Sequence, residues 1–412
     1  MEAIYERVCG LDVHSKTIQG CVRRLTKAGR IEQELQSFGT MTRDILALSD
    51  WLAAERVTHV SMESTGVYWK PIYNILEGRF TVLLVNARHV KHVPGRKTDV
   101  KDCQWLGQLL QCGLLQGSFV PDRPQRDVRD LTRHRAQLVA ERAAVANRIH
   151  KTLEDANIKL GVVASDILGV SGREMLRALI AGNRTPQQMA DLARRALRSK
   201  IPQLEIALEG RVTAHHRFLL SELMDQLEDM ERRIERFSQR IEEISGPFAP
   251  AIQAVATLPG FDQRSAQNVV AEIGMDMTRF PTAGHLASWA GICPGSNESA
   301  GKRKSGKTTK GSRWLKTTLV QSAWAASHTK NSYFSAQYHR LVGRRGKKRA
   351  LVAVAHSLLE VIHHLLLTGC EFNDLGADYF DKRDQQRIVK SHVRRLEGLG
   401  YKVTLATSDA VA

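Results

Sequence analysis

The pattern of apolar positions divides the chain before any single residue is considered. Apolar alternation over residues 8–11 and 18–22 predicts a strand pair, and further strands are expected at 57–62 and 81–85. Helical spacing falls between them, at about 42–55 and 69–78, and again at about 98–112. Strands alternating with helices imply an α/β domain, a sheet covered by helices, over residues 1–120. The segment PDRPQRD at 121–127 closes it. A mainly α arm is expected from 121 to 246. Its clearest element is the row Leu220, Leu223, Leu227, Met230, Ile234, Phe237, Ile241 and Ile244, a heptad seam with intervals of three and four in turn. The seam fits a coiled-coil partner in a second subunit or a helix of the same chain at about 126–156, whose own seam contains Arg135 and Arg142. GPFAP at 246–250 breaks the arm, and a mainly α C-terminal domain follows over 247–375. The tail, 376–412, is charged and then apolar, with KVTLA expected as a short strand.

Composition narrows the class. A chain of 412 residues suggests two or three domains, and 42% apolar with 25% charged residues is enough to bury cores. No run of eighteen apolar residues predicts a membrane span, and the acidic start MEAIYERVCGLDVHSK is not a secretory signal. Six scattered cysteines without a CxxC pair point to a reducing cytoplasm and away from structural zinc; fifteen histidines without HExxH argue against a zinc hydrolase. The net charge is +17, and its placement is informative. Between Glu298 and Arg349 fourteen basic residues face one acid, so this stretch alone supplies +13. A face tuned for solubility interleaves acids; a phosphate-backbone partner explains their absence.

Candidate chemistry begins with carboxylates. Asp12 ends the first strand in VCGLDVHSK, Glu63 ends a later one in HVSMESTGVYW, and Asp99 and Asp102 open a helix in KTDVKDCQWL. Positions three apart on a helix share a face, and strand ends in helix-covered sheets are where sites form. Each acid alone fits a cap or turn. Asp12, however, directly follows apolar residues, and no Lys or Arg stands in HVSMESTGV. Together the four could hold two Mg²⁺ ions about 3.5–4 Å apart, the arrangement that cleaves phosphodiesters.

Residues 255–274, VATLPGFDQRSAQNVVAEIG, read as a helix-hairpin-helix whose Pro259–Gly260 turn offers backbone N–H groups to a phosphate. The loop AGICPGSNESAGKRKSGKTTKGSRWLK follows at 290–316. Small residues there allow close backbone approach, and Gly301, Lys302, Arg303, Lys304, Lys307, Lys310 and Arg313 make it a phosphate-binding loop. A second basic run holds Arg344, Arg345, Lys347, Lys348 and Arg349. GKRKSGKT matches the phosphate-binding P-loop pattern by letter. It lacks the preceding buried strand, and the next helix is expected only after Gly311, so an ATPase is disfavoured.

The set GLDVHSK, SMESTGVYW, KTDVKDCQWL, LPGF before a helix, and AGICPGSNESAGKRKSGK resembles the DEDD transposases of the insertion sequence 110 family, in order and over nearly the whole chain. The resemblance implies an RNase H/RuvC-like N-terminal domain with Asp12, Glu63, Asp99 and Asp102 as ligands of Mg²⁺ or Mn²⁺. It also implies a C-terminal transposase domain with Ser299 as nucleophile. Many members carry Ser-Gly-Gly there; here the triplet is Ser-Ala-Gly, with Ser296 and Ser305 as neighbouring alternatives. It further implies a DNA substrate, an element-encoded guide RNA, a dimer or tetramer, and action at the bacterial nucleoid. The rival readings are a RuvC-like nuclease or Holliday-junction resolvase in which water attacks, and a non-catalytic nucleic-acid-binding protein.

Overall fold

A computed structural model describes residues 3–64, 66–86, 90, 101–295 and 297–405. The chain separates into two compact units, Met1–Pro121 and Asp122–Ala412.

The first unit is a five-stranded sheet in the order β3-β2-β1-β4-β5. β1 (Arg7–Val13), β2 (Thr17–Leu25) and β3 (Ile31–Gly39) run antiparallel in sequence. β4 (His59–Glu63) pairs parallel with β1, and β5 (Thr81–Val85) parallel with β4. Alternation decides the faces. Cys9, Leu11 and Val13 of β1 point into a core with Ile45, Leu48 and Leu52 of α1 (Thr42–Ala54) and Ile72 and Leu76 of α2 (Trp69–Leu76). Gly10 points the other way, against α3 (Asp102–Gln111). There a Cβ on Gly10 would stand 2.2 Å from the Cys103 carbonyl oxygen and 2.4 Å from the Gly107 nitrogen, so only glycine lets this helix lie on the strand.

β3 is absent from the sequence reading. It is an edge strand whose side chains are mostly exposed on both faces, so it carries no apolar alternation. α3 also begins later than expected, since Lys101 is extended (φ −60°, ψ 146°) and its N–H is held by Gln104 Oε1 at 3.2 Å.

The second unit is mainly helical. α4 (Arg123–Asp155) and the return helix α9 (Ala214–Ile244) form a long hairpin. Asp122 caps α4 by accepting from the Gln125 N–H. Short helices α5 (Leu160–Val163), α6 (Val170–Ala181), α7 (Pro186–Ala190) and α8 (Ile201–Ala207) share one core with the tip of the hairpin. The heptad seam therefore has a partner in its own chain. Leu220, Leu223, Leu227, Ile234 and Ile241 are buried, as are Leu138, Val145, Ile149 and Leu153 on α4.

The two seam arginines are paid in hydrogen bonds. Arg142 and Arg173 both donate to Glu231 Oε1 at 2.6 Å. Burial pushes the Glu231 carboxyl up, but these two guanidinium groups outweigh it and leave it below its ordinary value. Arg135 reaches the next helix pair, described below.

Beyond the hairpin come α10 (Ala249–Ala256), α11 (Gln263–Ile273), α12 (Ala283–Trp289), the strands β6 (Asn297–Ser299) and β7 (Lys302–Ser305), α13 (Arg313–Ser327), α14 (Tyr333–Arg345) and α15 (Lys347–Thr368). By length and composition α15 is apolar enough to cross a membrane. Here Ala350, Val354, Leu358 and Ile362 are buried in the domain core. The charged part of the tail forms two helices, α16 (Tyr379–Arg383) and α17 (Gln385–Glu397), for which no element was expected. Residues 402–405 form no strand, and 406 lies outside the described residues.

Candidate active site

Two of the predicted acids stand side by side because of sheet register. β1 and β4 pair through Leu11 and Met62, so the next residues, Asp12 and Glu63, end neighbouring parallel strands. By alternation Asp12 lies on the Gly10 face and Glu63 on the Ser61 face, which is the α3 side: Ser61 Oγ donates to the Leu106 carbonyl at 3.3 Å.

The direction of α3 brings in the third acid. Its C-terminal carbonyl, Gln111 O, accepts from Ile4 and Tyr5 N–H at 2.8 and 3.2 Å, at the start of β1. The helix therefore runs against β1, and its first residue, Asp102, lies toward the strand end that carries Asp12. The Cys103 thiol is pushed up, mainly by burial and then by the negative charge of Asp12, which places that carboxylate close to the helix start. Asp102 is also in the first turn of α3, where a carboxylate favours the helix dipole without any ligand.

Asp99 lies outside the described residues. Among the described residues, no three His, Cys, Asp or Glu side chains stand close enough to hold a metal ion unaided. Asp12 is not uncompensated, as its sequence context suggested: His14 Nε2 lies 3.2 Å from Asp12 Oδ2. The donor set is nevertheless all carboxylate at one end of the sheet, which suits a hard divalent cation.

The serine loop is a hairpin rather than an irregular loop. Ser299 ends β6 and pairs with Lys302 at the start of β7. Between them Ala300 and Gly301 both take positive φ (51° and 72°), the dihedrals of a tight two-residue hairpin turn. Arg303 and Lys304 continue β7, and Ser305, at its end, accepts from the Lys307 N–H at 3.2 Å. The P-loop look-alike thus spans a turn and a strand; a three-residue strand, β6, precedes it, and the following helix, α13, opens only after Gly311, five residues beyond Thr308, as expected. Ser296 lies outside the described residues. The base of the hairpin is tied down. Gly295 N–H donates to Lys307 O at 2.8 Å, and Lys316 Nζ donates to Thr308 Oγ1 at 2.6 Å.

Lys307, Lys310 and Arg313 follow the hairpin, all exposed. Arg344 and Arg345 end α14, and Lys347, Lys348 and Arg349 start α15, an exposed basic knuckle around Gly346. At Pro259–Gly260 the structure adds a packing role. Gly260 has φ +83°, and a Cβ there would stand 2.2 Å from Ser322 O of α13. The next helix, α11, is already capped by Asp262, which accepts from Ser265 N–H at 2.8 Å. A carboxylate therefore sits where a phosphate would cap α11.

The first unit thus carries acids at its strand ends, and the second a basic hairpin. Comparison with known proteins gives the family. A family model described as "Transposase", for DEDD transposases of the insertion sequence 110 type, matches residues 9–158. A second, "Transposase IS116/IS110/IS902 family", matches residues 252–339. Together they cover more than half of the chain, which belongs to this transposase family. Among its relatives is a "Probable family 20 transposase" of Pseudomonas aeruginosa, 25% identical over 74% of this chain and 83% of the relative. The "Insertion element IS116 uncharacterized 44.8 kDa protein" of Streptomyces clavuligerus is 25% identical over 69% and 78%. The "Insertion element IS110 uncharacterized 43.6 kDa protein" of Streptomyces coelicolor is 32% identical over 30% of each chain. Membership implies DNA as substrate and strand cleavage and rejoining as the activity; transposases of the DEDD type usually use divalent metal.

Proposed function

We propose that this transposase cuts and rejoins the strands of an insertion element with four carboxylates, Asp12, Glu63, Asp99 and Asp102, and a nucleophilic serine, Ser299. The observation that carries the reading is the β1–β4 register, which sets Asp12 beside Glu63 at strand ends facing the start of α3. The strand order, three antiparallel strands followed by two parallel ones, supports an RNase H/RuvC-like domain. The four acids would hold Mg²⁺ or Mn²⁺, which supplies polarisation of the scissile phosphate and favours an ionised hydroxyl nearby.

Ser299 Oγ loses its proton and bonds to phosphorus. The bond from phosphorus to the leaving strand breaks, and that strand's oxygen takes up a proton. The phosphodiester energy is conserved in the serine ester, so rejoining needs no nucleotide triphosphate. Lys302, Arg303, Lys304, Lys307, Lys310 and Arg313, with the knuckle from Arg344 to Arg349, hold strand backbones. Gly301 allows close approach to them, and the Pro259–Gly260 turn, packed on α13, would contribute at most backbone contacts at its outer edge. We infer a guide RNA from the element, a dimer or tetramer as the working assembly, and action on DNA in the bacterial cytoplasm and nucleoid, all from the family likeness.

The test is incubation with the element's terminal DNA and Mg²⁺, followed by peptide mapping for DNA bonded to Ser299. Asp12→Ala should slow cutting by on the order of 10³-fold, roughly 4 kcal/mol of barrier, and Ser299→Ala should abolish the covalent product. Full cutting by Ser299→Ala would transfer the protein to the water-using nucleases or resolvases.

A further inference from the structure

A cleft of about 860 Å³ in the second unit lies among α4, α11 and α13, and no residue of β6 or β7 lines it. That is within the range of small-molecule sites, about 300–1,000 Å³. One wall is apolar and shallow, formed by small residues of α4 such as Ala136, Ala140 and Ala143. Facing it are Phe261 and Trp314, both half-buried. The Arg313 guanidinium lies 4.4 Å from the Trp314 ring centre.

Four arginines line the cleft, Arg133, Arg135, Arg264 and Arg313, against two acids, Asp262 and Glu272. Two of these arginines have carboxylate partners, Arg133 with Glu272 and Arg264 with Glu235 at 3.9 Å. Asp262 caps α11, while Glu272 is gripped by Arg133 at 2.6 and 2.9 Å and accepts from Ser312 Oγ at 3.0 Å. Arg135 is 3% exposed, and the hydrogen bonds it makes go to neutral acceptors: Gln267 Oε1 at 2.8 Å, Asn268 Oδ1 at 3.0 Å and the Arg264 carbonyl at 3.3 Å. Burial, and then the neighbouring Arg264 charge, lower its pKa to about 10, so it remains a cation at neutral pH. The Asp262 carboxylate opposes these two effects, but no carboxylate is hydrogen-bonded to Arg135, and an anion entering the cleft would lower the cost of burying this cation.

We propose that this cleft takes up one unpaired nucleotide of a nucleic-acid strand, its base against Trp314 and Phe261 and its phosphate between Arg264 and Arg313, over Arg135. The chemistry is shared by DNA and RNA. Aromatic faces accept any unpaired base and guanidinium groups bind phosphate oxygens, whereas the bases of an intact duplex are stacked on one another and not free to meet the rings. The proposal rests on the nucleic-acid reading of the protein but concerns a site separate from the acids and Ser299.

The test uses full-length protein and labelled 12-nucleotide single strands of DNA and of RNA, with a blunt DNA duplex beside them, read by fluorescence anisotropy. Trp314→Ala and Arg313→Ala should each weaken single-strand binding about tenfold, while duplex affinity changes less than twofold for Trp314→Ala. Thr317→Trp, at an exposed position of α13 on the cleft wall, should block the site and give the same loss without removing a contact. Whichever strand type loses affinity is the occupant. The proposal is overturned if Trp314→Ala and Thr317→Trp leave both single strands bound as before, or weaken duplex equally. Cutting at Ser299 is scored separately: its survival beside unchanged single-strand binding would remove the cleft and keep the active site.

Discussion

The sheet end of the first unit and the hairpin of the second are made from opposite materials. Asp12 and Glu63 sit on buried strands whose register fixes them, and α3 is pressed onto Gly10 so closely that the layer cannot slide. The hairpin is two short strands held at the base, rich in Lys and Arg, with acid almost absent from the sequence around it. On the proposed reading, acids on a rigid scaffold would hold a small hard ion, and the cations of the hairpin would meet a long flexible polyanion that supplies their counter-charge. The lesson is that rigidity is placed where angstroms decide the chemistry, and exposure where charge must be met along a strand.

That contrast can be broken most sharply with salt. If the hairpin and knuckle contact six to ten phosphates, duplex affinity should fall about 10³–10⁵-fold between 50 and 200 mM salt; a shallow slope would mean the basic ribbon is not the clamp. Next in size is the support beneath the hairpin's following helix. Glu272→Ala strands Arg133 and takes an acceptor from Ser312, and should cost about 3–5 kcal/mol in chemical denaturation. A loss under 1 kcal/mol would show that these helices hold without the pair.

In the arm, Glu231→Gln should cost about 1–2 kcal/mol at neutral pH. Because the Glu231 pKa is depressed on folding, its contribution is complete above the ordinary value of 4.5 and fades as pH falls through the folded value. Wild type and variant melting curves should therefore converge in acid; curves that stay parallel down to strongly acidic pH would contradict the pairing. The smallest effect concerns the turn beside Ser299. Ala300 holds φ 51°, a left-handed conformation that costs an L-residue roughly 1–2 kcal/mol. Ala300→Gly should stabilise the hairpin by about 1 kcal/mol, seen as slower amide exchange in β6 and β7; faster exchange would argue against the tight turn.

Much of this was legible in the chain, and the exceptions share a cause. β1, β2, β4 and β5 announce themselves because a face of each is buried, and the arm because its seam repeats. β3 hides because an exposed edge needs no alternation. The β6–β7 hairpin hides because lysines and serines carry weak strand preference, and its turn is set by two dihedrals that the letters Ala-Gly only partly disclose. The seam arginines looked like flaws until Glu231 and Gln267, about ninety and one hundred and thirty positions away, were seen to receive them. The acids are readable as strand-end carboxylates, whereas the contact of His14 with Asp12 depends on how the chain turns after β1. The cleft at Trp314 is hidden in the sequence because its walls come from three separate stretches; the one hint is Arg135 in the α4 seam.

The helix that begins with Lys347, Lys348 and Arg349 continues into the middle of its domain at Leu358 and Ile362. Three positive side chains at the positive end of a helix oppose its dipole, an unfavourable arrangement confined to the first turn. Phosphates settling there would offset that local repulsion, so a bound strand would complete the start of a helix whose remaining turns are secured by their own burial.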